Sequence, residues 1–247
     1  MIIDSLAKIG PHYMGRNFSA EAYIRIMNQV GFYQAVITAN RPLSYNLSEG
    51  NDYIEDCLNK YPDRFFGAVR VDPWQREEAL EELEKRFKHR GFKAIYLHPW
   101  EENYQCNRGV VLPILDFARR RKLPVIIAAG YLWVSHITQV GDLARQFPDV
   151  KIMVTNAGQL DLSGLTLGNV KFVLKEFPNL YLGTASAVAT EWLVDLIRVN
   201  AKGRVLFESG HPFFEANLER CRVDYCYINL DEKNEVYREN VKEFFQI

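Results

Sequence analysis

Between Ala94 and Ala128 the chain reads AIYLH-PWEENYQCNRG-VVLPILDFARRRK-LP-VIIA. An apolar run, Ala94–His98, gives way to a polar loop. A helical pattern, Val110–Lys122, follows and leads through Leu123-Pro124 into a second apolar run, Val125–Ala128. Neither run alternates as a half-wetted strand would, so both read as parallel strands covered on two faces. Pro113 lies in the first turns of the helix, where proline is tolerated.

The same unit recurs in both directions along the chain. Further strands are expected at Ile2–Ser5, Ala35–Thr38, Phe66–Val71, Ile152–Thr155, Leu180–Thr184 and Val205–Glu208, which makes eight in all. Helices lie between them. Ser19 can cap a helix over Ala20–Val30, which Gly31 stops. Gln75–His89 is a charged amphipathic helix on which Glu82 and Lys85 can pair. The basic run Arg119–Lys122 reads as cations at a helix C-terminus. With no Ser/Gly linker and no break in composition, these repeats predict one domain over 1–247, a closed (β/α)8 TIM barrel. An open doubly wound sheet would want a glycine-rich turn after its first strand; Ile9-Gly10-Pro11-His12 is not one, and no P-loop or GxGxxG occurs.

Composition narrows the function classes. Of 247 residues, 48% are apolar and 25% charged, and the net charge of −1 offers no broad attraction for nucleic acid or an anionic membrane. No run approaches the roughly 18 apolar residues a membrane span needs. Cys57, Cys106, Cys221 and Cys226 are scattered too widely for a disulfide framework and read as free thiols. The N-terminus, Met-Ile-Ile-Asp, carries no basic or long apolar leader pattern, so a cytoplasmic protein is expected.

In a barrel of this kind function sits at the C-terminal mouth. The residues to weigh there are Lys8, His98, Asn156, Glu208 and His211, with Tyr13 and Trp100 among the loop aromatics. His98 and His211 each precede a proline and could equally be structural hydrogen-bonding groups. Aromatics at a mouth suit a small apolar or aromatic acid, a protein partner, or simple packing of loops on one another.

Several segments carry a resemblance: MIIDSLAKIG (1–10), GFKAIYLHP (91–99), LPVIIAAG (123–130), FPDVKIMVTNAG (147–158), RVLFESGHPF (204–213) and the tail NVKEFF (240–245). They are similar to the amidohydrolase-related family of metal-dependent hydrolases, which includes aromatic-acid decarboxylases and lactone hydrolases. The resemblance implies a barrel with metal ligands at five strand-end positions. In this chain those positions are Leu6, Lys8, Ala128, Asn156 and Gly210, and none keeps the family's residue. A catalytic zinc needs about three ligands from His, Cys, Asp or Glu. His98 and Glu208 could supply two, and no third is evident.

Three readings therefore stand. The first is a non-catalytic barrel without metal or cofactor, serving as partner of another copy or of an intact paralogue. The second is metal-free binding or catalysis of a small molecule at the mouth. The third is the hydrolase or decarboxylase chemistry that the resemblance implies. Lys8 and Glu208, of opposite charge on strands that neighbour when the barrel closes, are expected either to form an ion pair or to part, with Lys8 reaching solvent through the mouth and Glu208 bonding elsewhere.

Overall fold

Eight branched-apolar runs do form parallel strands, and helices cover their outer faces. The computed structural model describes residues 1–160, 166–187 and 189–247. The strands are β1 (Ile2–Pro11), β2 (Asn17–Phe18), β3 (Phe32–Ala39), β4 (Phe65–Arg70), β5 (Phe92–Leu97), β6 (Val125–Ile127), β7 (Ile152–Val154), β8 (Leu180–Gly183) and β9 (Val205–Leu206). They hydrogen-bond in the order β2-β1-β3-β4-β5-β6-β7-β8-β9, and every pairing but β1 with β2 is parallel. The residues after β9 close the ring onto β1: Ser5 N–H donates to the Phe207 carbonyl at 2.9 Å, and Lys8 N–H to that of His211 at 2.8 Å. The result is the (β/α)8 TIM barrel.

The first strand runs past the expected Ser5 because its end is paired again, antiparallel, by the short β2, which the sequence does not announce. β1 also carries one extra residue against β3, since Asp4 faces Ala35 while Ala7 faces Ile37. A one-residue bulge moves every later side chain to the other face. Ile3 and Leu6 thus both reach the barrel interior, and Lys8 follows Leu6 inward.

The interior is layered. Val36, Ala68, Ala94, Tyr96, Ile126, Met153, Tyr181 and Leu206 fill it with apolar groups. The closing helix, Asn240–Phe245, inserts Val241, Phe244 and Phe245 beneath them as a floor. One step further toward the C-terminal ends, the same inner faces turn polar: Lys8, Thr38, Arg70, His98, Thr155 and Glu208.

Helix ends follow local chemistry. Ser19 Oγ accepts from Ala22 N–H at 3.2 Å, and Gly31, at φ 84°, ends the helix Ala20–Val30. The helix expected from Gln75 begins only at Glu77, because Pro73–Gln75 forms a separate 3-10 turn and Arg76 breaks the path at φ 50°. Glu82 does not pair with Lys85. Arg86, one residue on and buried, takes it at 2.7 Å and gathers Asp52 and Glu55 as well. In the basic run, Arg119 pairs with Asp116 and Arg121 with Glu84, which accounts for them as a solvated surface. The four cysteines are free. Among the described residues, no helix is long and apolar enough to cross a membrane.

Candidate functional site

The polar layer at the mouth divides into two halves. On the β4–β5 side, Arg70 is fully buried at a strand end. Its Nη2 lies 2.5 Å from both Glu101 Oε2 and Glu102 Oε1, and its Nη1 donates to the Ala39 carbonyl at 3.1 Å. Burial opposes the arginine's charge, but the two carboxylates outweigh it and hold the guanidinium firmly protonated. Burial also opposes the Glu101 charge, yet Arg70 and its neighbours bring that carboxyl down to about 2. Glu102 goes the other way, to about 7, because it is buried more deeply and its Oε2 has no partner.

His98 belongs to this half. Its Nδ1 accepts from Glu101 N–H at 3.2 Å. Its Nε2 lies 3.4 Å from Glu101 Oε1 without hydrogen-bond geometry. Burial, with Lys8 nearby, holds the imidazole neutral, well below its usual range. The ring is turned into its own loop and packs on Tyr131, so His98 does not line the cavity described next.

On the β1–β9 side a cavity of about 220 Å³ opens at the seam of the barrel. Lys8, Asn156, Glu208 and His211 line it, with Leu6, Tyr96, Tyr131, Phe213 and Phe214. The expected Lys8–Glu208 ion pair is not formed. Among the described residues, no carboxylate lies within 4.0 Å of the Lys8 ammonium. Nζ instead sits 4.4 Å from the centroid of the Phe213 ring. Burial lowers the Lys8 amine to about 8; Arg70 adds to that, while Glu101, Glu208 and Glu102 oppose it.

Glu208 is held elsewhere. Its Oε2 accepts from the backbone N–H of Asn156 at 2.9 Å, reaching across β8 where Gly183 leaves room. A Cβ on Gly183 would stand 2.1 Å from that oxygen. Burial raises the Glu208 carboxyl to about 8, against the effect of the Asn156 N–H. Asn156 itself has φ 56°, and its side-chain amide donates to Thr155 Oγ1 at 2.8 Å. The His211 ring stacks on Tyr23 at 4.6 Å, and burial lowers it to about 4.

The seam is braced from behind by Asp4, which sequence reasoning passed over. Its carboxylate accepts from Ser209 N–H at 2.8 Å, from Ser209 Oγ at 2.5 Å and from the Tyr23 hydroxyl. Burial nonetheless raises it to about 6. Arg70, Glu101 and Glu102 were also missed. A lone arginine in the otherwise apolar run Phe65–Val71 was the available signal.

Two expected aromatics lie outside the cavity. Trp100 is exposed and stacks on Tyr131, centroids 5.5 Å apart. Tyr13 rests against His12 at 4.3 Å. A larger groove, about 700 Å³, runs over loops and helices between Trp74 and Ile114 and is lined by none of the inward-facing polar residues. Among the described residues, no three His, Cys, Asp or Glu side chains converge as a metal would require.

Comparison with known proteins sets this geometry in context. A TIM-barrel protein of Bordetella bronchiseptica superposes with a TM-score of 0.81 at 16% identity, over 99% of this chain and 98% of that one. A 5-carboxyvanillate decarboxylase of Novosphingobium aromaticivorans, complexed with manganese and 4-hydroxy-3-methoxy-5-nitrobenzoic acid, gives 0.79 at 15%, over 100% and 96%. A dihydroxybenzoic acid decarboxylase of Polaromonas, with manganese and the inhibitor 2-nitroresorcinol, gives 0.79 at 16%, over 99% and 96%. At such identities the likeness is one of fold. No curated protein matches this sequence significantly. The amidohydrolase family profile matches residues 10–246, beginning just after Leu6 and Lys8, and so the chain belongs to the amidohydrolase family.

Proposed function

We propose that the mouth is a small-molecule site that takes a small aromatic acid and works on it with the chain's own groups. The observation that carries this reading is the Lys8 ammonium. It lines a cavity of about 220 Å³ and has no carboxylate within 4.0 Å among the described residues. A charge so enclosed is costly unless paired, and a bound carboxylate would pair it. Tyr96, Tyr131, Phe213 and Phe214 offer apolar walls to a flat ring. An open cavity favours a ligand site over a barrel kept only as partner to another copy or to a paralogue. Family membership favours hydrolysis or decarboxylation as the reaction type, and two structural neighbours are decarboxylases bound to aromatic ligands.

The residues present do not fit the metal that the family fold implies. Leu6, Ala128 and Gly210 bring no donor, and Asn156, whose amide nitrogen donates to Thr155 Oγ1, offers only a neutral amide oxygen. An ammonium at Lys8 repels a cation. Gly210 has φ 61°, and a Cβ there would meet Phe214 at 2.5 Å, so that position is shaped to exclude a side chain.

Calorimetric titration with 2,6-dihydroxybenzoate in the presence of EDTA tests the reading. Binding should persist with chelator and weaken at least about tenfold in Lys8→Met, the loss of one ionic contact worth about 1.4 kcal/mol. Binding that requires added manganese, or that ignores Lys8→Met, would overturn it.

A further inference from the structure

We propose that Lys8 is a covalent amine that captures the ketone carbon of a 2-oxo acid, with Glu208 giving and taking the protons. This deepens the reading above, on which it rests, by naming the substrate class.

Lys8 reaches the cavity because the bulge in β1 turns it inward, and no described side chain ties its nitrogen down. The nitrogen lies over an aromatic face, not against a carboxylate. Glu208 lines the same cavity from the other side of the seam, fixed by the Asn156 N–H. A nucleophilic amine and a positioned acid thus border one space that is open to a small molecule.

Their charge states suit the step. The groups acting on Lys8 are Glu101, Glu102 and Glu208, which favour its proton, and Arg70, which with burial disfavours it. His98 and His12 also face it and are held neutral-leaning by burial. Lys8 and Glu208 are both brought to about 8, so moving a proton between them costs little. Desolvation of a lysine in this way is a recognised route to an amine nucleophile.

The neutral nitrogen attacks the ketone carbon, an N–C bond forms, and the C=O π pair moves to oxygen, which takes the Glu208 proton. The nitrogen, now cationic, returns a proton to Glu208. That proton is then passed to the hydroxyl, which leaves as water while the nitrogen pair closes the C=N bond. The products are a protonated imine, one water and ionised Glu208. A 2-oxo acid fits better than a simple aldehyde because the iminium keeps the positive charge beside the ligand's carboxylate throughout.

The test is reductive trapping of the intact protein with phenylpyruvate or pyruvate and cyanoborohydride at pH 7.5, read by peptide mass spectrometry. One saturable adduct is expected, on the peptide containing Lys8, with a trapping rate that peaks near pH 8, since the amine must be neutral while Glu208 still holds its proton. An excess of 2,6-dihydroxybenzoate should suppress it in the unmodified protein, which needs no variant. Lys8→Arg, checked for folding by circular dichroism, should abolish it, and Glu208→Gln should slow it at least about tenfold, the usual scale of acid–base assistance being larger still. Adducts spread evenly over exposed lysines, or retained in folded Lys8→Arg, would overturn the proposal. Calorimetric binding of the acid without any trapped adduct would overturn it alone and leave the small-acid reading standing. Absence of both would sink both.

Discussion

Two cations stand on the inner face of the same barrel at the same height, and they are held in opposite ways. Arg70 is enclosed by two carboxylates at 2.5 Å and a backbone carbonyl. Lys8, two strands away around the ring, has an aromatic ring and a cavity. The difference follows from the side chains. A guanidinium is always charged and presents a fork that can satisfy two acids at once, whereas an ammonium can shed its proton when burial makes the charge costly. The first arrangement fixes the β4–β5 loops; the second leaves a group free to act on something else.

The sharpest way to break this comparison is Arg70→Met. It strands Glu101 and Glu102 in the interior and should cost about 3–5 kcal/mol, read as a lower urea midpoint. A loss under about 1 kcal/mol would mean that the carboxylates are not held by the arginine.

Glu208→Gln should do the reverse. The folded carboxyl is raised to about 8 from 4.5, so the native state holds the proton more tightly than the unfolded chain. The parent therefore loses stability as pH rises from about 4.5 to 8, and the amide variant, neutral throughout, should not. By pH 9 the variant should be ahead by roughly 2–3 kcal/mol. Parallel pH profiles for the two proteins would contradict the burial of that charge.

Lys8→Met comes next in size. The folded amine is lowered to about 8 from 10.5, so here the unfolded chain holds the proton more tightly. The parent is penalised below about pH 8 and recovers between 8 and 10.5. Methionine keeps the apolar stem and should stabilise the fold by roughly 1–2 kcal/mol at pH 7, fading by pH 10.5. Had Lys8 paired with Glu208, the same change would have been destabilising, so its sign separates the two arrangements. The smallest effect is expected from Trp100→Ala. The exposed indole stacks on Tyr131 from outside, and its removal should change stability by no more than about 0.5 kcal/mol and leave acid binding unaltered.

Much of the architecture was legible because a parallel barrel writes itself as repeated apolar runs separated by capped helices. All eight parallel strands fall where branched residues cluster, and all but the first, which runs on from Ser5 to Pro11, end within a few residues of expectation. β2 escaped because two residues pairing by backbone leave no pattern. The site was half legible. Lys8, Asn156, Glu208 and His211 share a cavity because strand ends converge whatever the sequence. What could not be read was direction. Parity on β1 changes at the bulge, and a glycine on another strand, Gly183, decides where the Glu208 carboxylate lies. The Lys8–Glu208 ion pair was inferred from adjacency of strands, which sets proximity of backbones but not of charged tips.

The seam that joins β1 to the last strand also has a kinetic meaning. Asp4 and Ser209 meet across 205 residues of chain, so their contact is among the most non-local in the molecule. Contacts of that separation repay their loop-closure entropy late, which places ring closure near the end of folding. Lys8 and Glu208 sit on opposite edges of that join, and their cavity exists only once it has shut. A molecule bound there would act as a clasp, favouring the closed ring over any opened form in proportion to its occupancy. Slower amide exchange at Ser5 and Lys8, whose N–H groups bridge the seam, would be the first sign of it.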